Sequence, residues 1–322
     1  VIFHWWGDDL WITNNTSNPS RKPSRTDLRA VKRSKAGPYL NYPTSAEREF
    51  RRVTGGYIRL LQQCLRDHLP AIMDGYKSEY HRKDARFDAS QELESKVHEE
   101  LLQVAAELEQ KLAAYGLDRL VEKIAKLTET HSLREWKRVC KDTLGIDLLS
   151  DYYNADFYEE AIRRWVSENV QMIKSIPNET LGEMREIILD GFKKGKTATD
   201  ISKELQKSYG ITKRKAQSLA RDQIATLNAE ISELQQRDAG CTKYKWSTSK
   251  DRRVRDCHRE LDGKIFSWDN PPEMWYETKA GRVYTGRRCH PGQDFLCRCC
   301  AIPVFDFDTV DVPISGEREK GV

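Results

Sequence analysis

The sequence predicts an α+β fold, with a mostly helical N-terminal domain, a small C-terminal α+β domain, and a cysteine–histidine metal site as one candidate staple for the latter. Three observations predict it. Apolar residues recur every three or four positions between residues 44 and 194. After Gly240 the alternation shortens, and aromatic and β-branched residues take over. Six of the eight cysteines lie beyond residue 240, where few apolar residues remain to build a core.

Residues 1–43 read as a tryptophan-containing end and a basic extended arm. Trp5, Trp6 and Trp11 suit a short anchor. Residues 13–43 are rich in Asn, Ser, Pro, Lys and Arg, a composition that buries too little surface to offset chain entropy. Seven bases, Arg21, Lys22, Arg25, Arg29, Lys32, Arg33 and Lys35, stand against the single acid Asp27. Such a block is either a solvated arm or a contact for a polyanion such as nucleic acid.

Residues 44–194 form the helical domain. Thr44-Ser45-Ala46-Glu47 fits a capping box. Tyr57, Leu60, Leu61, Cys64, Leu65 and Leu69 follow at helical spacing, with a stop expected near Pro70 and a second segment through Ile72, Met73 and Tyr76. The stripe Leu93, Val97, Leu101, Ala105, Leu108 and Leu112 predicts a long amphipathic helix ended by Gly116. Leu117, Leu120, Val121, Ile124 and Leu127 continue the pattern, and Ser132-Leu133-Arg134-Glu135 offers another capping box ahead of Trp136 and Val139. A further helix over Phe157, Ala161, Trp165 and Ile173 is expected to end before Pro177, and the next carries Leu181, Met184, Ile188 and Phe192. These stripes are core faces of a helical bundle and name no activity.

Residues 195–305 form the second domain. Thr199 caps a helix to Tyr209, Gly210-Ile211-Thr212 turns, and a second helix runs from about Lys213 to Asp238 with Gly240 at its end. Lys213, Arg214 and Lys215 at that helix start give a loose likeness to a helix-turn-helix. Tyr244 to Thr248 alternates as a strand, and Val283-Tyr284 and Ala301-Ile302-Pro303-Val304-Phe305 supply the remaining ones. Residues 306–322 read as a mobile acidic tail.

Composition narrows the class. The chain has 322 residues, 38% hydrophobic and 32% charged, and 54 bases against 50 acids give a net charge of +4. That excess alone implies no polyanionic partner. No apolar run approaches the roughly 18 residues of a membrane span. The first residues lack a basic and then apolar leader, so a secretory signal is not expected, and the cysteines read as reduced thiols or metal ligands rather than a disulfide framework.

His258, Cys297 and Cys299 are the sharpest chemical group. Cys-x-Cys sets two thiols close together, and His258 can approach from the preceding loop. The fourth position of a structural zinc site falls to Cys289, with Cys257, His290 and Cys300 as alternatives. The competing reading is a set of packing thiols around a hydrogen-bonded histidine. Asp251-Arg252-Arg253-Val254-Arg255 sets an acid among three bases, so Asp251 can cap a turn while the arginines pair with acids or phosphate. Arg221, Asp222 and Gln223 stand on a helix face that can hydrogen-bond the strand domain's loops, and Trp246 lies in the first strand.

Taken together in this order, Ala220-Arg221-Asp222-Gln223-Ile224, Leu227-Asn228, Gly240, Tyr244, the run Trp246 to Arg255, His258, Leu261-Asp262-Gly263, His290-Pro291-Gly292, Cys297-Arg298-Cys299 and Ile302-Pro303-Val304 resemble the phage Mu F-like minor head proteins, also called phage head morphogenesis proteins. The resemblance spans roughly residues 195–305. It implies a structural, non-enzymatic component of a tailed phage virion, placed at the portal vertex or capsid interior after assembly in the host cytoplasm. The implied partners are the portal protein, the major capsid protein and packaged double-stranded DNA, with no membrane. The competing functions are a metal-dependent nuclease built on His258 and the cysteines, a stand-alone DNA-binding module, and an ADP-ribosyltransferase-like enzyme. The last would use Arg221, Ser247-Thr248-Ser249, Glu317 and Glu319. Its glutamates fall beyond the last strand, where nothing holds them rigidly.

Overall fold

The computed structural model describes residues 2–6, 9–13, 35–80, 88–148 and 152–312. The basic residues at 21–33, together with Glu317 and Glu319, lie outside them. The order of elements is β1 (Ile2–Trp6), β2 (Asp9–Thr13), β3 (Lys35–Ala36), α1 (Thr44–Tyr80), α2 (Asp88–Ala113), α3 (Leu117–Leu144), α4 (Ala155–Lys193), α5 (Ala198–Asp238), β4 (Lys243–Ser247), α6 (Asp256–Leu261), β5 (Ile265–Ser267), β6 (Glu273–Thr278), β7 (Gly281–Arg288) and β8 (Cys300–Phe305). The fold is α+β: three short strands lead into five long helices, the remaining strands follow with α6 among them, and every strand pairing among the described residues is antiparallel. The chain divides into two compact units. One holds Val1–Glu47, Ala125–Trp165 and Arg221–Val322; the other holds Arg48–Ile124 and Val166–Ala220.

Every described element of the second unit is a helix. Leu61, Cys64, Leu65, Ile72, Met73, Val97, Leu101, Val104 and Leu108 share one core with Leu181, Met184, Ile188, Ile201 and Leu205. Three helices depart here from the local sequence signals. α1 runs through Pro70 instead of stopping there. The proline removes one amide and crowds a carbonyl, at a cost of about 3 kcal/mol. Ile72 and Met73, however, are buried beyond it in the same core as Leu61 and Leu65 before it, and each buried side chain contributes about 1.5–3 kcal/mol. α4 likewise passes Pro177 to reach Leu181, Met184 and Ile188. α5 shows no turn at Gly210: Thr212 Oγ1 reaches back to the Ser208 carbonyl at 3.3 Å and meets Thr180 Oγ1 at 3.2 Å. The helix-turn-helix likeness therefore lacks its turn. Because Pro70 is exposed, replacing it with alanine is expected to raise the unfolding free energy by about 1–3 kcal/mol in denaturant titrations; an unchanged midpoint would show that the ring fits this helix without strain.

Caps also move. Thr197, not Thr199, caps α5: its Oγ1 accepts the Asp200 amide at 3.2 Å and donates to Asp200 Oδ2 at 2.7 Å. Ser132 lies inside α3, where its hydroxyl donates to Gln235 Oε1 at 3.3 Å. α1 begins at Thr44, but the Glu47 carboxylate lies 3.4 Å from Arg221 Nε and the Glu47 amide bonds to the Pro43 carbonyl.

The first unit holds a four-stranded sheet in the order β3-β8-β4-β5. Central β8 is buried along its whole length and pairs with β4 from Lys243↔Val304 to Ser247↔Cys300. Phe305 stacks on Trp136 with centroids 5.9 Å apart, and Gln236 Nε2 donates to the Ala301 carbonyl at 2.7 Å. β5 and β6 are strands that the sequence pattern did not single out. β6 and β7 form a separate two-stranded ribbon, and every residue of β7 is exposed. At the arm's end, residues 35–43 join this unit: Lys35 and Ala36 pair with β8, and Asn41 donates to Glu135 at 2.9 Å through both its amide groups. The chain past Phe305 also keeps packing, with Phe307, Val310 and Val312 buried and the Asp311 amide bonded to the Ala239 carbonyl.

Candidate metal centre

His258 lies on α6, the short helix between β4 and β5, and is 3% exposed. The loop into α6 is built by Asp251, whose Oδ1 accepts the Arg253 amide at 2.9 Å while Oδ2 pairs with Arg298 and Arg253. The expected turn cap is therefore formed. Asp262, just past α6, accepts both the amide and the hydroxyl of Thr248 at 2.9 and 3.0 Å, which ties the helix back to the end of β4. Cys297 and Cys299 sit on the segment that leads into β8. Leu296 ahead of them has φ +52°, a left-handed conformation that is rare for a bulky residue. Its amide is held there by Asp222 Oδ1 at 2.9 Å.

These elements bring three donor atoms together. His258 Nδ1 lies 3.6 Å from Cys297 Sγ and 3.7 Å from Cys299 Sγ, and all three atoms lie within 4.8 Å of one another. A tetrahedral zinc with bonds of about 2.3 Å to sulfur and about 2.0–2.1 Å to nitrogen separates such atoms by about 3.6 Å. The spacing fits that ion. The second ring nitrogen, Nε2, faces Asp294 Oδ2 at 3.2 Å, within ion-pair distance though off the hydrogen-bond angle. Asp294 is braced in turn by Arg255 at 2.5 Å and Arg287 at 2.8 Å. A carboxylate behind a ligating imidazole is the usual outer support of a zinc histidine.

The electrostatics single out one thiol. Burial pushes Cys64, Cys140, Cys241, Cys257, Cys289 and Cys300 up. Cys299 also rises, first through its hydrogen bond to Cys297 and then through burial. Cys297 alone is held well below the usual thiol range. The Cys299 thiol and the His258 ring outweigh its burial, and the Cys299 amide adds a bond to its sulfur at 3.3 Å. Burial opposes a charged His258, but Asp294 and Cys297 together push it up to about 9. Asp294 falls well below the carboxylate range: burial opposes this, and His258 and Arg255 outweigh it.

The other candidate ligands stand elsewhere. Among the described residues, only His258, Cys297 and Cys299 bring three such donors together. Cys289 Sγ accepts from Arg287 Nη2 at 3.7 Å, and Cys300 Sγ donates to the Arg298 carbonyl at 3.9 Å. His290 Nδ1 meets Tyr244 Oη at 3.0 Å, with its ring 4.9 Å from Trp268. Cys257 is buried in the small core with Tyr244, Trp246 and Trp268. Trp246 lies 5.4 Å from the His258 ring and walls the site. Of the helix residues, Asp222 bonds the Leu296 amide, Arg221 pairs with Glu47, and the Gln223 carbonyl accepts from Trp165 Nε1 at 3.0 Å. Asp294 and Arg287 were not marked by the sequence, where an aspartate three residues before Cys297 carries no distinguishing spacing. All eight cysteines are free thiols, and no helix is long and apolar enough to cross a membrane, both among the described residues.

An uncharacterized protein of Haemophilus influenzae (strain ATCC 51907 / DSM 11121 / KW20 / Rd) is 34% identical over 183 residues, which is 56% of this chain and 38% of that protein. The chain thus spans well under half the length of that relative. No solved structure matches. Residues 183–302 match the family described as Phage Mu protein F like protein. The segment carrying His258, Cys297, Cys299 and the Asp294 brace is thus the part of the chain that is similar, over residues 183–302, to the Phage Mu protein F like family.

Proposed function

We propose that the chain is a minor capsid protein of a tailed bacteriophage with an architectural role in head morphogenesis, at the portal vertex or capsid interior. The observation that carries this reading is the family match over residues 183–302. The chemistry around the donor set agrees with a role that needs no turnover. Asp251 is the one carboxylate lining the cavity beside the three donors. Burial raises its pKa, but the Arg253 amide and the guanidiniums of Arg298 and Arg253 outweigh this and hold it below the carboxylate range. It is a weak proton acceptor, and His258 is committed to Asp294 and the thiols. In this reading the arm of bases at 21–35 and the helices serve as contacts for portal, capsid protein and packaged DNA. The direct test is mass spectrometry of purified particles, with affinity capture of the tagged full chain from phage-producing cells. The chain in the particles and portal in the capture are expected; particles that lack the chain would overturn the reading.

His258, Cys297 and Cys299 serve this protein as a staple by holding zinc, which supplies a cross-link between α6 and the entry to β8. Three protein donors rather than four leave one position to a group from outside the set. Asp294→Asn keeps the shape of the brace but not its charge. It is expected to weaken zinc about 10- to 100-fold in competition with a chromophoric chelator. Unchanged affinity would show that Asp294 does not support the histidine.

A further inference from the structure

We propose that the cavity beside the His258, Cys297 and Cys299 set is a binding site for a phosphate oxyanion. The cavity measures about 240 Å³ and draws its walls from α5, the 249–255 loop, α6 and the 296–299 segment. Four arginines line it, Arg221, Arg253, Arg255 and Arg298, against one lining carboxylate, Asp251. Glu47 and Asp294 brace Arg221 and Arg255 from outside the lining. Each bracing contact uses one or two of the five donors on a guanidinium, and the remaining donors form the planar forks that match phosphate oxygens.

Size and shape narrow the ligand. The cavity is smaller than the roughly 300–1,000 Å³ that drug-sized ligands occupy. It suits a single phosphate group rather than a whole nucleotide. Arg298 and Arg221 are about one-fifth exposed, whereas Arg255 and Arg253 are 46% and 66% exposed. The site thus has two sheltered cations and two at the rim. A second observation points the same way: Leu296, in the wall, holds a left-handed backbone fixed by Asp222. Such strain is retained where the surroundings over-determine a geometry, and it clusters at ligand sites. The phosphate can come from solution or from a nucleic-acid backbone laid across the rim. This inference is independent of the head-protein reading, which particle composition tests separately.

The test is isothermal titration of the full chain with inorganic phosphate at constant ionic strength, and with a short oligodeoxynucleotide in competition. Saturable binding of one phosphate per chain is expected. Arg253→Gln should weaken it roughly tenfold, Arg253→Lys should weaken it less, and Arg288→Gln, at an exposed β7 residue outside the cavity lining, should leave it unchanged. The unfolding midpoint of Arg253→Gln without phosphate, equal to that of the parent, separates lost contact from lost fold. Displacement of phosphate by the oligonucleotide, with both sensitive to Arg253, assigns a backbone phosphate. Phosphate binding without competition assigns the free anion. No saturable phosphate binding, or binding indifferent to Arg253, would overturn the proposal, as would oligonucleotide binding alone that Arg253→Gln leaves intact.

Discussion

Cys297→Ser is expected to lower the unfolding free energy by about 3–5 kcal/mol and to release the metal. Serine keeps the size of the side chain but removes one of two sulfur donors, and with it the negative charge opposite His258. Cys289→Ser is the matched control. Its thiol is buried in the same small core, yet it stands outside the three-donor set, so its loss should cost about 1 kcal/mol. Trp246 and Trp268 are buried in that core, so their fluorescence reports the transition. Equal losses at the two positions would reduce the site to packed thiols.

Gly240→Ala is expected to cost about 3 kcal/mol. Gly240 ends α5 at φ +75°, and a Cβ there would stand 2.2 Å from the Thr309 carbonyl oxygen. That oxygen is backbone and cannot swing aside. The turn holding it is fixed by the Val310 and Thr309 amides on the Asp306 carbonyl, and the Thr309 hydroxyl donates to the Gly240 carbonyl at 3.1 Å. Making room would lift the 306–312 segment and expose buried Val310 and Val312. Gly263→Ala provides the contrast, since Gly263 has φ +79° but nothing within 4 Å of a Cβ. It should show the backbone penalty alone, about 1 kcal/mol. Denaturant midpoints for the two variants decide the matter, and equal shifts would mean that the segment yields freely.

The helical faces were legible because their period is set by geometry: Leu61, Cys64, Leu65, Val97, Leu101 and Leu108 all enter one core. Element ends were less legible. Pro70, Pro177 and Gly210 are local breaking signals, yet the helices run on: core positions stand on both sides of Pro70, Leu181, Met184 and Ile188 enter that core past Pro177, and Ile201 and Leu205 enter it ahead of Gly210. β7 was marked only through Val283-Tyr284, because all eight of its residues face solvent and no alternation is required of them. At the site, residue type marked His258, Cys297 and Cys299. It could not tell which further cysteine turns inward: Cys289 and Cys300 match in chemistry and differ only in where the backbone aims them. Asp294 went unmarked because its role comes from a loop folding back onto α6, a long-range contact that its neighbours in sequence do not encode.

The proposed metal at His258, Cys297 and Cys299 would lock the C-terminal α+β region. X-ray absorption on the purified full chain, joined to metal analysis, tests it most directly. About one zinc per chain is expected, with two sulfur neighbours near 2.3 Å and one nitrogen near 2.0–2.1 Å, and a chelator should lower the unfolding midpoint. A folded chain free of metal, whose unfolding a chelator and added zinc both leave unchanged, would contradict it.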